Sequence, residues 1–189
     1  MRLFLFKAYE ARADRTMFVV DASPWGYGAV LVVNGVVIEY FSAPVSEDDC
    51  HILGIVKGSP DSQQICEALA MLIALRVWRD SWRQWRSAVA VRGDNVTMLT
   101  MVLHFKGTSK SLNIIAREVA LEVAASAYRP LIAEHIAGVA NITADALSRL
   151  HVPGGSYERP ACLAQARAAV VPERPREWYR ALAAPAGPP

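Results

Sequence analysis

The chain has 189 residues, 53% hydrophobic and 20% charged, with a formal net charge of +2. That suffices for one domain with a full core, and the composition is globular rather than disordered or collagen-like. No apolar run approaches the roughly 18 residues that span a bilayer, and the stretch Met1 to Lys7 is too short in its apolar part for a secretory leader.

The first strand expected is Met17 to Asp21. Val30 to Phe41 reads as two more strands around Asn34-Gly35, because that dipeptide between β-branched runs favours a tight hairpin. Residues 43–63 read as a polar loop. A helix is predicted from Ser62 to Trp85, and its Ile65–Trp78 part is apolar on most sides, so it belongs in the middle of the domain. A fourth strand covers Ser87 to Gly93, and a helix follows Asp94. After the loop Lys106 to Ser111 come a helix from Leu112 to Tyr128, a strand from Leu131 to Ile136, and a last helix to Leu150 with Asn141 as N-cap. Residues 1–150 form the expected domain. Residues 151–189 hold seven of the eleven prolines and read as a Pro/Ala-rich tail or linker. Helical pieces are expected there over Ala161–Val170 and Arg176–Leu182, with Trp178 and Tyr179 as docking side chains if the tail packs.

Strands that pair locally, followed by strands joined through helices, predict an α/β fold. The expected sheet is mixed and five-stranded, with three antiparallel strands, two more parallel to the first, and helices on both faces. In such sheets, sites form at the carboxyl ends of strands.

Four acids adjoin or interrupt segments that otherwise read as core: Asp21, Glu67, Asp94 and Asp145. An unpartnered buried carboxylate costs several kcal/mol. A shared divalent cation converts the repulsion among four of them into coordination. Taken singly, Asp94 or Asp145 reads as a carboxylate at a helix start. The three cysteines, Cys50, Cys66 and Cys162, follow no metal or disulfide spacing, so an intracellular, reducing location in cytoplasm or nucleus is expected. Cys66 reads as a small buried side chain.

Charge is uneven. The span Arg76 to Arg117 contains Arg76, Arg79, Arg83, Arg86, Arg92, Lys106, Lys110 and Arg117 against Asp80 and Asp94. That excess suits a polyanion, and an ordinary solvated helix face accounts for it equally well. Trp78, Trp82 and Trp85 recur with Arg79, Arg83 and Arg86. Core tryptophans with arginines reaching to solvent are preferred to base stacking.

The segment from Asp21-Ala22-Ser23 through Gly26 and Gly28-Ala29-Val30-Leu31 resembles the first motif of the ribonuclease H domain of retroelement reverse transcriptases. Glu67-Ala68-Leu69-Ala70 is similar to its second motif and Gly93-Asp94-Asn95 to its third. The run Glu134-His135 to Asn141, with Ala144-Asp145-Ala146-Leu147-Ser148-Arg149, resembles the closing motif of gypsy-type and DIRS-type elements. Ala137 stands where that family often has proline and Gly93 where serine is common, and neither change removes a ligand. No Tyr-x-Asp-Asp polymerase motif is present.

The resemblance implies a ribonuclease H-like fold and hydrolysis of the RNA strand of RNA–DNA hybrids. It implies two Mg2+ ions, replaceable by Mn2+, held by Asp21, Glu67, Asp94 and Asp145, with Asp21 bridging both. It implies products with 5′-phosphate and 3′-hydroxyl ends. His135, ten residues before Asp145, matches the family's mobile histidine and is expected to assist proton transfer or product release. Expected nucleic-acid contacts are Ser23, Gly26, Asn95, Asn141, Arg79, Arg83, Lys106 and Lys110, and a polymerase module encoded elsewhere is a candidate partner. Two alternatives stand beside this reading: an inactive relic that binds nucleic acid or scaffolds a polymerase, and another nuclease of the same fold.

Overall fold

The computed structural model describes residues 16–83, 89–93, 104–125, 131–135 and 141–182; at 83, 89–93 and 131–135 only the backbone is described. The elements in order are β1 (Thr16–Ser23), β2 (Gly26–Val33), β3 (Val36–Pro44), α1 (Glu47–Leu53), α2 (Gln63–Val77), α3 (Arg79–Arg83), β4 (Val89–Gly93), α4 (Lys110–Ala125), β5 (Leu131–His135), α5 (Ile142–Arg149) and β6 (Arg167–Ala168). Asp94, Asn95, Trp85, Arg86 and the helix expected after Asp94 lie outside the described residues.

The strands form one sheet in the order β5-β4-β1-β2-β3-β6. β1 pairs antiparallel with β2 and parallel with β4, and β4 pairs parallel with β5. The expected mixed sheet is therefore present, with the two-residue β6 added beside β3. Asn34 and Gly35 both adopt positive φ, 52° and 79°, as the tight turn of a right-twisted hairpin requires.

Side chains alternate across the sheet with the two-residue period of a strand. Phe18, Val20, Ala22, Tyr27, Ala29 and Leu31 face the larger core, against Cys66–Leu75 of α2 and Leu112–Val123 of α4. Val30 and Val32 face the other side, against Leu147 of α5 and Leu163. Helices thus cover both faces.

α2 is buried on all sides from Cys66 to Leu75, as its unbroken apolar composition predicts. The expected single helix is interrupted at Trp78, where α3 begins. The Trp78 ring sits 5.2 Å from that of Phe18 and 5.4 Å from that of Phe41. Trp82 is equally buried and donates its indole N–H to the Leu75 carbonyl at 2.8 Å. Both are core residues with no face open to a base. Burial, with Asp49 and Glu67 nearby, pushes the Cys66 thiol up to about 12, so it is an inert packing group.

Two further expectations change. The stretch 43–63 contains α1, opened by a reciprocal capping box. Ser46 Oγ accepts from Asp49 N at 3.1 Å and Asp49 Oδ2 accepts from Ser46 N at 2.9 Å. The helix ends at Gly54 with φ 65°. The Ser-Glu-Asp-Asp spacing carried that signal, but the polarity of the stretch masked it.

The second change concerns the C-terminal segment. Of the two alternatives, the segment through residue 182 packs on the domain. Tyr179 and Leu163 are fully buried, and β6 adds to the sheet edge. The expected helical piece over Ala161–Val170 is instead a short 3-10 turn, Ala161–Leu163, followed by β6. Arg176–Leu182 forms two 3-10 turns.

Candidate active site

Asp21 lies near the carboxyl end of β1 on the face covered by α5, and it is 6% exposed. Its Oδ1 accepts from Asn141 Nδ2 at 3.2 Å, and its Oδ2 lies 2.8 Å from Ser148 Oγ. Asn141 Nδ2 also reaches the Val20 carbonyl at 3.1 Å. Asn141 is therefore not a side-chain cap of α5, contrary to expectation. It spends its amide on the strand and on Asp21.

Glu67 arrives from the opposite face of the sheet. It is also 6% exposed and projects from the second turn of α2. Gln63, one helical turn earlier, donates to Glu67 Oε1 at 2.8 Å and to the Ala22 carbonyl at 2.6 Å. One amide thus ties Glu67 to the backbone of the residue after Asp21, at the carboxyl end of β1. Gln63 was not singled out in the sequence, although its i,i+4 spacing to Glu67 is the signal that finds it.

Asp145 lies on α5 one turn before Ser148. Its side chain is 40% exposed and Oδ1 accepts from Arg149 Nε at 2.7 Å. Among the described residues, no three acidic, histidine or cysteine side chains already converge as a metal-binding group. Asp94 and the His135 side chain lie outside the described residues, while the His135 backbone ends β5, beside Gly93 of β4.

The donor set suits a hard divalent cation. Asp21, Glu67 and Asp145 offer carboxylate oxygens, and Asn141 Oδ1 is buried with no hydrogen-bond partner. A buried amide oxygen left without a donor is costly, and it stands beside Asp21.

The glycines of the first motif have a packing role. A Cβ at Gly28 would fall 2.5 Å from Ser148 N and inside contact distance of the Ala144 carbonyl. A Cβ at Gly26 would fall 2.7 Å from the His151 ring and 2.9 Å from the Ser148 carbonyl. Gly26 and Gly28 let α5 lie directly on β2, which brings Ser148 onto Asp21. Gly26 is thus covered by α5 and is not open to a substrate. Ser23 is similarly occupied. Its hydroxyl donates to the Ser148 carbonyl at 2.8 Å and accepts from the Trp25 and Gly26 amides.

The basic span also resolves differently from expectation. The Arg76 side chain is 8% exposed and bonded to Glu118, to Glu122 at 2.9 Å and to the Trp178 carbonyl at 2.7 Å. Its guanidinium lies 4.0 Å from the centre of a Trp178 ring. Arg79 donates to both oxygens of Glu122 at 2.7 Å. These two arginines neutralise Glu118 and Glu122, which follow just after the basic span in sequence. Lys106 and Lys110 remain at the surface, and the Arg83 side chain is not described.

A mixed sheet in this strand order, with helices on both faces and acids near the end of β1, defines a ribonuclease H-like fold. No family model matches the chain, and no curated protein matches it. Among solved structures, the chain is similar to RNase H1 from the halophilic archaeon Halobacterium salinarum NRC-1. The two share 18% identity with a TM-score of 0.54, covering 70% of this chain and 93% of that one. It is also similar to LC11-RNase H1, isolated from compost by a metagenomic approach, at 17% identity and TM-score 0.57, covering 74% and 96%. LC11-RNase H1 in complex with an RNA/DNA hybrid matches at 18% identity and TM-score 0.57, covering 70% and 93%.

Proposed function

We propose that the chain is a metal-dependent ribonuclease H that hydrolyses the RNA strand of RNA–DNA hybrids. The observation that carries this reading is the buried Asp21 carboxylate near the end of β1, with Glu67 joined to the same strand end through Gln63. The fold supports it, as does the hybrid seen bound to LC11-RNase H1.

Asp21, Glu67, Asp94 and Asp145 would hold two Mg2+ ions, with Mn2+ as a substitute. Such ions lower the pKa of bound water and neutralise charge on the leaving oxygen. The chain's own groups prepare the site. Asn141 and Ser148 fix Asp21, Gln63 fixes Glu67, and Arg149 balances Asp145 until a cation takes over that charge. His135 stands ten residues before Asp145 and handles protons or releases product. Lys106, in the loop before α4, and Lys110, at its first residue, are both exposed and can meet phosphates, a sequence-independent and salt-sensitive contact.

The resemblance of the run Glu134 to Arg149 to the closing motif of gypsy-type and DIRS-type elements supports an origin in a retroelement reverse transcriptase, with a polymerase module as a candidate partner.

The test is one assay on labelled hybrid, double-stranded RNA and double-stranded DNA, with Mg2+, with Mn2+ and with a chelator. Cleavage confined to the RNA strand of the hybrid and abolished by the chelator is the expected result. An intact hybrid, or double-stranded DNA cut at a matching rate, overturns the assignment.

A further inference from the structure

Ser148 is fully buried and sits where three constraints meet. Its hydroxyl lies 2.8 Å from Asp21 Oδ2 and 2.9 Å from the Asp145 carbonyl. Its own carbonyl accepts from Ser23 Oγ at 2.8 Å. Its amide nitrogen lies over Gly28, with no room for a side chain between them. A serine hydroxyl has one hydrogen, so the two acceptors compete for it. The carboxylate carries the charge and makes the stronger bond.

Asn141 stands seven residues earlier, on the same side of the helix, and donates to the other oxygen of Asp21. Each Asp21 oxygen thus receives a donor. Two donors on two oxygens restrict rotation of the carboxylate about its last bond and leave its remaining lone pairs directed.

We propose that Ser148 is a positioning residue that sets the orientation of Asp21 for divalent metal binding and couples it to α5, the helix that carries Asp145. The proposal rests on the metal-dependent nuclease reading above. Groups that orient a metal-binding carboxylate typically change metal affinity or activity by about 10- to 100-fold when removed.

The test compares wild type with Ser148→Ala and Ser148→Cys. Cysteine keeps the bulk and donates weakly, so it separates hydrogen bonding from packing. Mg2+ and Mn2+ binding is measured by calorimetry on the protein without nucleic acid. Cleavage of labelled hybrid is measured against Mg2+ concentration, and thermal melts without metal check the fold. Both variants are expected to bind the cation roughly tenfold more weakly or worse. The Mg2+ needed for half-maximal cleavage should rise in parallel, with KM for hybrid unchanged. Wild-type metal affinity in both variants overturns the proposal, as does a defect in Ser148→Ala that Ser148→Cys does not share. If wild type binds Mg2+ but leaves the hybrid intact, the nuclease reading falls, and the ratio of metal affinities still decides the role of Ser148. A wild type that binds neither cation overturns both.

Discussion

Arg174 closes its guanidinium on both oxygens of Asp49, at 2.8 and 2.7 Å, across 125 residues of sequence. Asp49 is fully buried and Arg174 is 4% exposed, so the pair is shielded from solvent. Asp49 also accepts from the Tyr27 hydroxyl at 3.1 Å and completes the capping box of α1. The Arg174 guanidinium stands 5.3 Å from the centre of the Tyr27 ring. A β2 tyrosine, a helix cap and the C-terminal segment are thereby one structure.

Arg174→Met leaves Asp49 buried without its cation, which should cost about 3–5 kcal/mol. Removing 152–189 removes that arginine together with buried Leu163 and Tyr179, so the shortened chain should fail to fold stably. Urea unfolding of the two variants checks both statements. A loss below about 1 kcal/mol for Arg174→Met would show that Asp49 finds another partner or protonates.

Asp21→Asn should abolish hybrid cleavage and leave folding intact. A neutral amide is a weaker ligand for a hard divalent cation than a carboxylate, but it can keep a neutral hydrogen-bond pattern. The Ser148 hydroxyl can accept from the new amide and donate to the Asp145 carbonyl, already 2.9 Å away. Stability without metal should therefore stay within about 1 kcal/mol of wild type. Turnover by the folded variant would remove Asp21 from the site.

Gly28→Ala should reduce both stability and activity. The new methyl meets the backbone of α5, which is not a flexible side chain that can swing aside. Overpacking of this kind costs about 1–3 kcal/mol. Displacing α5 also pulls Ser148 from Asp21, so the Mg2+ requirement should rise. A variant with wild-type melting and wild-type Mg2+ dependence contradicts the close packing of α5 on β2.

His151 sets a pH dependence of stability. Burial holds its imidazole below the usual histidine value, and Nε2 lies 2.9 Å from Ser42 Oγ. The unfolded chain takes up a proton near pH 6.5, before the folded chain does. Stability should therefore fall as pH drops below about 6.5 and level off below the lower folded value. Above that range His151 is neutral in both states and contributes no slope. Comparing wild type with His151→Gln in denaturant titrations across this window checks the sign. An unchanged slope in the variant assigns the effect to another group.

The sequence by itself determined the strand order of the hairpin, the burial of α2 and the elements that carry Asp21, Glu67 and Asp145. These rest on local signals: the Asn34-Gly35 turn, two-residue alternation and an apolar run too uniform for a surface helix. Asp21 and Glu67 were legible because a carboxylate inside an apolar segment conflicts with its surroundings. What only tertiary structure decided are the partners. Arg76 and Arg79 read as surface charge until Glu118 and Glu122 of α4 are placed against them. Gly26 reads as a nucleic-acid contact until α5 is laid on β2. Ser148 and Gln63 read as ordinary helix residues until folding brings them to Asp21 and Glu67. The C-terminal segment read as a tail because proline and alanine carry little local periodicity. Its attachment depends on Arg174, Trp178 and Tyr179 meeting residues about 100 or more positions away, and no local pattern encodes such distances.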